Sequence, residues 1–296
     1  MYNYAVITDA VEGLILVDVN TLVDGDPRNN FFKRAVTWNA GGVLTGARHV
    51  TIGGHFAYIA TDAGLVTIDL NDPLKPVHTS TIPMNDARQS DLQFRYLFVT
   101  DAEGLKVLDV TKQAAPRLVA GAHVPMDNAQ GLYLARTYAY VAAGAQGLMI
   151  VDIEKPEAPK LLKSFTYGGK MNDTQDVVIG STNASLFAYI ADGINGMKVL
   201  QLTSPDSQPN FYGFSPEPMP ELIAWRQTKW PALGVSKGLD RDRAVDESGH
   251  QMAVFGRLGS RPFTRPEMEN LFIGEDGKPF SVTDTPDMEN YVSAPK

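Results

Sequence analysis

The sequence predicts an all-β chain of the β-propeller type. Its expected units are four-stranded antiparallel blades: five clear repeats, a degenerate sixth and a short C-terminal extension. Three observations carry this. One pattern of strand, glycine-ended turn and strand recurs five times. Equivalent positions Asp18, Asp69, Asp109, Asp152 and Gln201 are spaced 51, 40, 43 and 49 residues apart, and a period of about 40–50 residues is that of propeller blades. The segments also lack a 3.6-residue apolar period. They are short and rich in Val, Ile, Leu, Tyr and Phe, as strands are.

The paired strands come first. The copies run Tyr4–Val19, Phe56–Leu70, Tyr96–Val110, Tyr138–Ile153 and Phe187–Leu202. In Leu148-Met149-Ile150-Val151-Asp152-Ile153 both parities are apolar, as in Leu14–Val19. A half-buried strand alternates, so these are covered on both faces, as in a blade stacked between two neighbours. Gly13, Gly64, Gly104, Gly147 and Gly196 each sit where the hairpin enters its third strand. That position suits a left-handed residue after a type I turn. Asp9, Asp62 and Asp101 are placed to hydrogen-bond the turn backbone. The strand-end aspartates Asp18, Asp69, Asp109 and Asp152 read as caps of the next turn rather than as catalytic groups.

Each pair is expected to be flanked on both sides. A shorter inner strand precedes it, at Val50–Ile52, Leu92–Phe94, Leu132–Leu134 and Val177–Ile179. A proline-containing turn follows, at Asn71-Asp72-Pro73, Ala115-Pro116, Glu157-Ala158-Pro159 and Ser204-Pro205. Proline fixes φ and stops the third strand. Phe31–Trp38 and Leu161–Tyr167 then read as outermost strands, with Lys33, Arg34 and Lys163 as the charge of a protected edge.

The segments GLILVDV, GLKVLDV and GLMIVDI, preceded by YAVITD-type strands and followed by Pro-containing turns, resemble the LVIVD repeat family. The resemblance covers Tyr4 to about Ser204. It implies a β-propeller in a bacterial or archaeal protein, often exported or surface-associated. It implies no shared catalytic motif, so no residue role is carried over.

Past Phe214 the period fades. The organisation expected is blades over residues 1–213, the first lacking its inner strand, with 214–296 as a degenerate sixth blade and tail on the same propeller. Leu233–Lys237 reads as an inner strand and Arg243–Gly249 as strand and turn. Gln251–Gly256 reads as a third strand and Arg261-Pro262-Phe263 as the Pro-turn and fourth strand. Pro266–Phe272 has helix-start signals. Either Pro279–Thr283 or Glu221–Trp225 is expected to complete the first blade, unless blades upstream are missing from this chain.

Composition bounds the function. The chain has 296 residues, 20% charged and 44% hydrophobic, enough apolar side chains for a real core. It has no cysteine, which excludes disulfide scaffolds, Cys-ligated metals and thiol catalysis within the chain. A net charge of −8 argues against a nucleic-acid partner. No apolar run approaches the roughly 20 residues of a membrane helix. No signal-peptide pattern opens the chain. Export to the periplasm, cell surface or outside is expected if its N-terminus is truncated.

Candidate chemistry is sparse. The loops entering the inner strands carry Arg48 and His49, Asp86, Arg88 and Asp91, Asn128 and Gln130, then Asn172, Asp173, Gln175 and Asp176. Aligned on the apolar strand residues, Arg48, Ser90, Gln130 and Gln175 form one level of a channel mouth. His49, Asp91, Gly131 and Asp176 form the next. The candidate ligand-binding set is therefore Arg48, His49, Asp91, Gln130, Gln175 and Asp176, for a small polar ligand, a partner's loop or water alone. His49, Asp91 and Asp176 are the one combination with divalent-cation chemistry, although no metal is expected. The histidines lack HxH or HExxH spacing, and Asp24-Gly25-Asp26 lacks the later ligands of an EF-hand. Asp240, Asp242, Asp246 and Glu247, interleaved with Arg241 and Arg243, read as a solvated ion-paired face. No catalytic set and no cofactor motif appears. The expectation is a non-catalytic scaffold for a protein partner, with Trp225, Trp230 and Phe263 as candidate anchors. The alternative is an enzyme or metal-dependent accessory protein using the channel mouth.

Overall fold

The computed structural model describes residues 3–19, 32–181, 186–204 and 215–236, and three strand pieces at 253–254, 257–258 and 261–262. Among them it is all-β. Strands β1 (Tyr4–Asp9), β2 (Gly13–Asp18) and β3 (Lys33–Trp38) form a three-stranded sheet in that order. Four four-stranded sheets follow, each with neighbouring strands antiparallel. They are β4 (His49–Gly53), β5 (Phe56–Thr61), β6 (Gly64–Asp69) and β7 (Val77–Ile82); then β8 (Gln89–Gln93), β9 (Tyr96–Asp101), β10 (Gly104–Asp109) and β11 (Arg117–Pro125). Next come β12 (Leu132–Ala135), β13 (Tyr138–Ala142), β14 (Leu148–Asp152) and β15 (Lys160–Phe165), then β16 (Asp176–Ser181), β17 (Leu186–Ala191), β18 (Met197–Thr203) and β19 (Glu221–Arg226). Each is a sequential meander, as expected for a blade. Among the described residues no helix is long and apolar enough to cross a membrane.

Backbone contacts divide the chain into two compact units. One is built mainly of Val36–Lys237 and holds the four complete blades. The other combines Tyr2–Ala5, Leu16–Ala35 and Gly238–Lys296. Its strands β20 (Ala253–Val254), β21 (Arg257–Leu258) and β22 (Arg261–Pro262) pair antiparallel in order. Val254 pairs with Arg257; of the expected third strand Gln251–Gly256, Ala253–Val254 is described and is a strand, and the rest lies outside the described residues. Arg243–Gly249, Phe263, Pro266–Phe272, Pro279–Thr283, Asp24-Gly25-Asp26, His250 and the acidic cluster at 240–247 lie outside the described residues.

The blades of the first unit stack through three apolar clusters. Phe56, Tyr58 and Leu65 pack with Leu97, Val99 and Leu108. Phe98, Leu105 and Val107 pack with Ala139, Val141, Met149 and Val151. Tyr140, Ala142, Leu148 and Ile150 pack with Val177, Ile179, Ala188 and Leu200. One strand thus serves two clusters through its two parities, which is why β14 is apolar at every position of Leu148–Val151. Fully burying each such side chain contributes about 1.5–3 kcal/mol.

The glycine turns have two causes. All five hairpin glycines have positive φ, as the turn type predicts. Each also abuts the fourth strand: a Cβ on Gly104 would overlap the Val124 carbonyl oxygen and lie 2.7 Å from the Met126 nitrogen. The same approach recurs at Gly64 against Ile82 and at Gly196 against Arg226. Asp9 Oδ1 accepts from Val11 and Glu12 N–H, and Asp101 Oδ1 from Glu103 N–H. Asp62 departs from this pattern and pairs with Arg48, leaving Thr61 Oγ1 to accept from Ala63 N–H. Asp69, Asp109 and Asp152 each accept from the N–H two residues on, at 2.7–2.9 Å, and so cap the turn as read.

Outer pairs carry a register shift in every complete blade, at Thr67/Ile68, Lys106/Leu108, Ile150/Val151 and Val199/Leu200. Such bulges add twist and bend the exposed edge away from further pairing. Glu221–Arg226 is the outer strand of the fifth unit, hydrogen-bonded to β18. It therefore does not complete the first blade. The proline-rich segment before it belongs to the long β18–β19 connection, held on the preceding blade by Ser215 to Thr137 at 2.6 Å and by Lys163 Nζ donating to the Pro218 carbonyl at 3.0 Å.

Candidate functional site

The site is built on the inner strands. Backbone hydrogen bonds fix which residues are equivalent. Arg48 N–H donates to Ala60 O, Arg88 to Thr100 O, Gln130 to Ala142 O and Gln175 to Ala191 O, at 2.7–3.0 Å. The first level of the mouth is therefore Arg48, Arg88, Gln130 and Gln175, and the second is His49, Gln89, Gly131 and Asp176. Ser90 and Asp91, expected at these levels, lie two positions too far along β8. The cause is Phe94, which reads as a strand residue. It is a turn residue with φ +55 that is 94% exposed. Counting it into the strand slides the alignment by two.

Each first-level side chain is held by its neighbour two residues back. Arg88 Nε donates to Asp86 Oδ2 at 2.9 Å. Gln130 Nε2 donates to Asn128 Oδ1 at 2.9 Å and Gln175 Nε2 to Asp173 Oδ1 at 2.6 Å. Arg48 Nε reaches the Gly46 carbonyl at 3.0 Å. The residue between is small, and buried in every case: Ala47, Ala87, Ala129 or Thr174. A small residue followed by a polar one, spaced 40, 42 and 45 residues apart and preceded by a polar side chain in three of the four copies, is the sequence signal that locates the mouth without reference to apolar strand residues.

Charge is balanced locally. Arg48 bridges Asp62 and Asp86, and Arg88 Nη1 donates to Asn128 Oδ1 at 2.6 Å and to the Ala129 carbonyl at 2.8 Å. Burial pushes the Asp86 carboxyl up, but hydrogen bonds and charge from Arg88 and Arg48 outweigh it and hold it below the usual carboxylate range. Burial drives the His49 imidazole down to about 4. Its Nδ1 accepts from Ser90 N–H at 3.3 Å, so the neutral ring carries its proton on Nε2.

The second level links neighbouring blades whose inner strands share no ladder. Gln89 Nε2 donates to Leu132 O at 3.0 Å, and Gly131 N–H to Gln175 O at 3.0 Å. Asp176 Oδ1 accepts from Val177 N–H and Oδ2 from Val235 N–H, at 2.8 and 2.9 Å. Asp91 does the same two blades earlier, accepting from Leu92 and Leu134 N–H. Burial raises both carboxyls, and these backbone donors offset part of the rise. The cation set His49, Asp91 and Asp176 is not assembled: among the described residues no three His, Asp or Glu side chains come together. Ala232 bridges Gly193 as Thr174 bridges Gly144. The next inner-strand position is thus taken by Ala232–Val235, near the expected Leu233–Lys237, and Leu233 stands there in place of a glutamine.

Arg48, His49, Asp86, Arg88, Gln89, Gln130, Gly131, Gln175, Asp176 and Leu233 enclose an open recess of about 440 Å³. Five of the six expected mouth residues line it, and Asp91 does not. The expected anchors Trp225 and Trp230 are far from packed: they are 64% and 74% exposed. Trp225 edges a groove of about 290 Å³ with Tyr167, Lys170, Lys198 and Leu222.

The LVIVD repeat matches residues 46–81 and 128–166, which span β4–β7 and, in the third complete blade, β12–β15. No curated protein matches the chain. Among solved structures, a functionally unknown protein from Desulfotomaculum acetoxidans DSM 771 is similar at 13% identity, over 78% of this chain and 70% of that one, with a TM-score of 0.55. A protein from Lactobacillus plantarum is similar at 15% identity, over 76% and 68%, with a TM-score of 0.56. At these identities the likeness is one of fold. The chain carries LVIVD repeats, folded as propeller-type blades.

Proposed function

We propose that this repeat scaffold is a protein-binding module, and that its contact surface is the outer side of the fifth unit. The exposure of Trp225 and Trp230 carries the reading. Single exposed apolar side chains are ordinary. Here Met219, Ile223, Trp225 and Trp230 are all 46–74% exposed within one stretch of chain. Ile194 is 67% exposed, and its carbonyl accepts from Gln227 Nε2 at 2.7 Å. Clusters of that kind mark interaction surfaces, and tryptophan is enriched among the residues that dominate binding. The β18–β19 bulge falls at Ile223, so alternation is interrupted there and Leu222 and Trp225 line the same groove.

The test compares immobilised wild-type chain with a Trp225→Ala/Trp230→Ala variant on extract of the native source. Deleting residues 214–296 is unsuitable, because it removes β19 from its sheet. A specific partner held by the wild type should be released by the double variant, with affinity falling about tenfold or more. Circular dichroism and melting temperature should not change. Equal recovery by both proteins, or no specific recovery by the wild type, overturns the proposal.

A further inference from the structure

We infer that the recess at the inner-strand mouth is a binding site for a neutral polyhydroxyl ligand of sugar size, and that the side-chain amides of Gln130 and Gln175 are its principal contacts. The inference is independent of the tryptophan surface.

Uncommitted hydrogen-bonding capacity points to the ligand. Gln130 and Gln175 each use one amide N–H on Asn128 and Asp173. Each keeps its carbonyl oxygen and its second N–H. Gln89 gives one N–H to Leu132 and keeps its carbonyl oxygen. His49 keeps an Nε2–H donor, because Nδ1 is fixed as the acceptor from Ser90. A primary amide offers a donor and an acceptor side by side. Two vicinal hydroxyls offer the complementary pair, since each hydroxyl both donates and accepts.

Charge excludes the alternatives. Arg48 and Arg88 are neutralised by Asp62 and Asp86, and Asp173 and Asp176 stand nearby on the same loop and strand. Asp173 and Asp176 leave the recess acidic, which disfavours an anion, and among the described residues no three His, Asp or Glu side chains are grouped to hold a cation. Both carboxylate oxygens of Asp176 are already taken by backbone N–H groups. Dipolar groups are what remain free. Leu233 adds an apolar wall for a C–H face, and about 440 Å³ lies within the range of small-molecule sites. The amides are also pre-positioned: Asn128 and Asp173 pin them, and buried Ala129 and Thr174 fix the loops beneath, so less side-chain freedom is lost on binding.

Nuclear magnetic resonance reads the site directly through glutamine side-chain NH₂ signals. The full chain is titrated separately with glucose, maltose and trehalose, and with sulfate and calcium as charged controls. At least one sugar should shift the NH₂ signals of Gln130 and Gln175, with no comparable shift from sulfate or calcium. A Gln130→Leu/Gln175→Leu variant should bind that sugar about tenfold more weakly or worse. Single Leu variants cover the case in which the double variant does not fold. Trp225→Ala/Trp230→Ala should bind it unchanged. No shift with any of the three sugars, a larger shift with a charged control, or equal binding by the Leu variants overturns the inference.

Discussion

His49 shows how one residue of the mouth couples to stability. Burial lowers its pKa from 6.5 to about 4. Between those values the unfolded chain binds a proton that the folded chain refuses, so stability rises with pH across the window. The contribution is complete above about 6.5 and is lost as pH falls toward about 4. At about 1.4 kcal/mol per unit the shift corresponds to about 3 kcal/mol, and solvent in the recess screens it to about 2. Asp91 and Asp176 act the other way, because their raised carboxyls accept protons more readily folded than unfolded. The comparison must therefore be between proteins rather than within one. Urea unfolding at about pH 7 and about pH 4.5 should show His49→Gln losing about 2 kcal/mol less than wild type on acidification. A glutamine oxygen can still accept from Ser90 N–H, so equal losses would mean that His49 is not the titrating group. At this scale the sequence was only partly legible. Residue types and loops of the mouth were readable, but their register was not. Phe94 carries strand chemistry while occupying a left-handed turn, and nothing in the one-dimensional pattern marks that.

At the scale of elements, repetition made the blades readable. Five copies of one hairpin fix strand order, because a position ambiguous in one copy is settled by the others. Glu221–Arg226 was misplaced for the opposite reason. A long connection separates it from β18, and nothing local ties a strand to a partner so far back in the chain. The turn glycines were legible as left-handed positions, but their close approach to the fourth strand was not, since it depends on a strand about 20 residues away. The two causes can be separated. Gly196 has φ +77 and sits against Arg226 and Gln227 backbone, whereas Gly121 has φ +78 with nothing within 4 Å of an added Cβ. Gly121→Ala should cost only the backbone strain of about 1 kcal/mol, and Gly196→Ala should cost about 2 kcal/mol more, because outer-strand backbone must move. Thermal unfolding of the two variants checks this. Equal losses would leave turn conformation as the whole explanation for these glycines.

At the scale of the molecule, the four complete blades are coupled in series. Each apolar cluster is shared by two consecutive blades, so a middle blade is held from both sides through opposite parities of the same strands. Leu97 and Phe98 are adjacent in β9 and both fully buried. Yet Leu97 packs with Tyr58 and Leu65 of the blade before, and Phe98 with Val141 and Val151 of the blade after. Truncating either to alanine should cost about 2–5 kcal/mol. If stability is a sum of intrinsic blade terms and nearest-neighbour interfaces, the two losses should spread in opposite directions along the chain. Hydrogen exchange followed by mass spectrometry should then show faster exchange in β5 and β6 for Leu97→Ala, and in β13 and β14 for Phe98→Ala. Blade β8–β11 should loosen in both, because it owns the substituted side chain. The same exchange pattern in both variants would show the blades opening as one body. The repeat would then set the architecture while the whole stack, rather than each interface, set the stability.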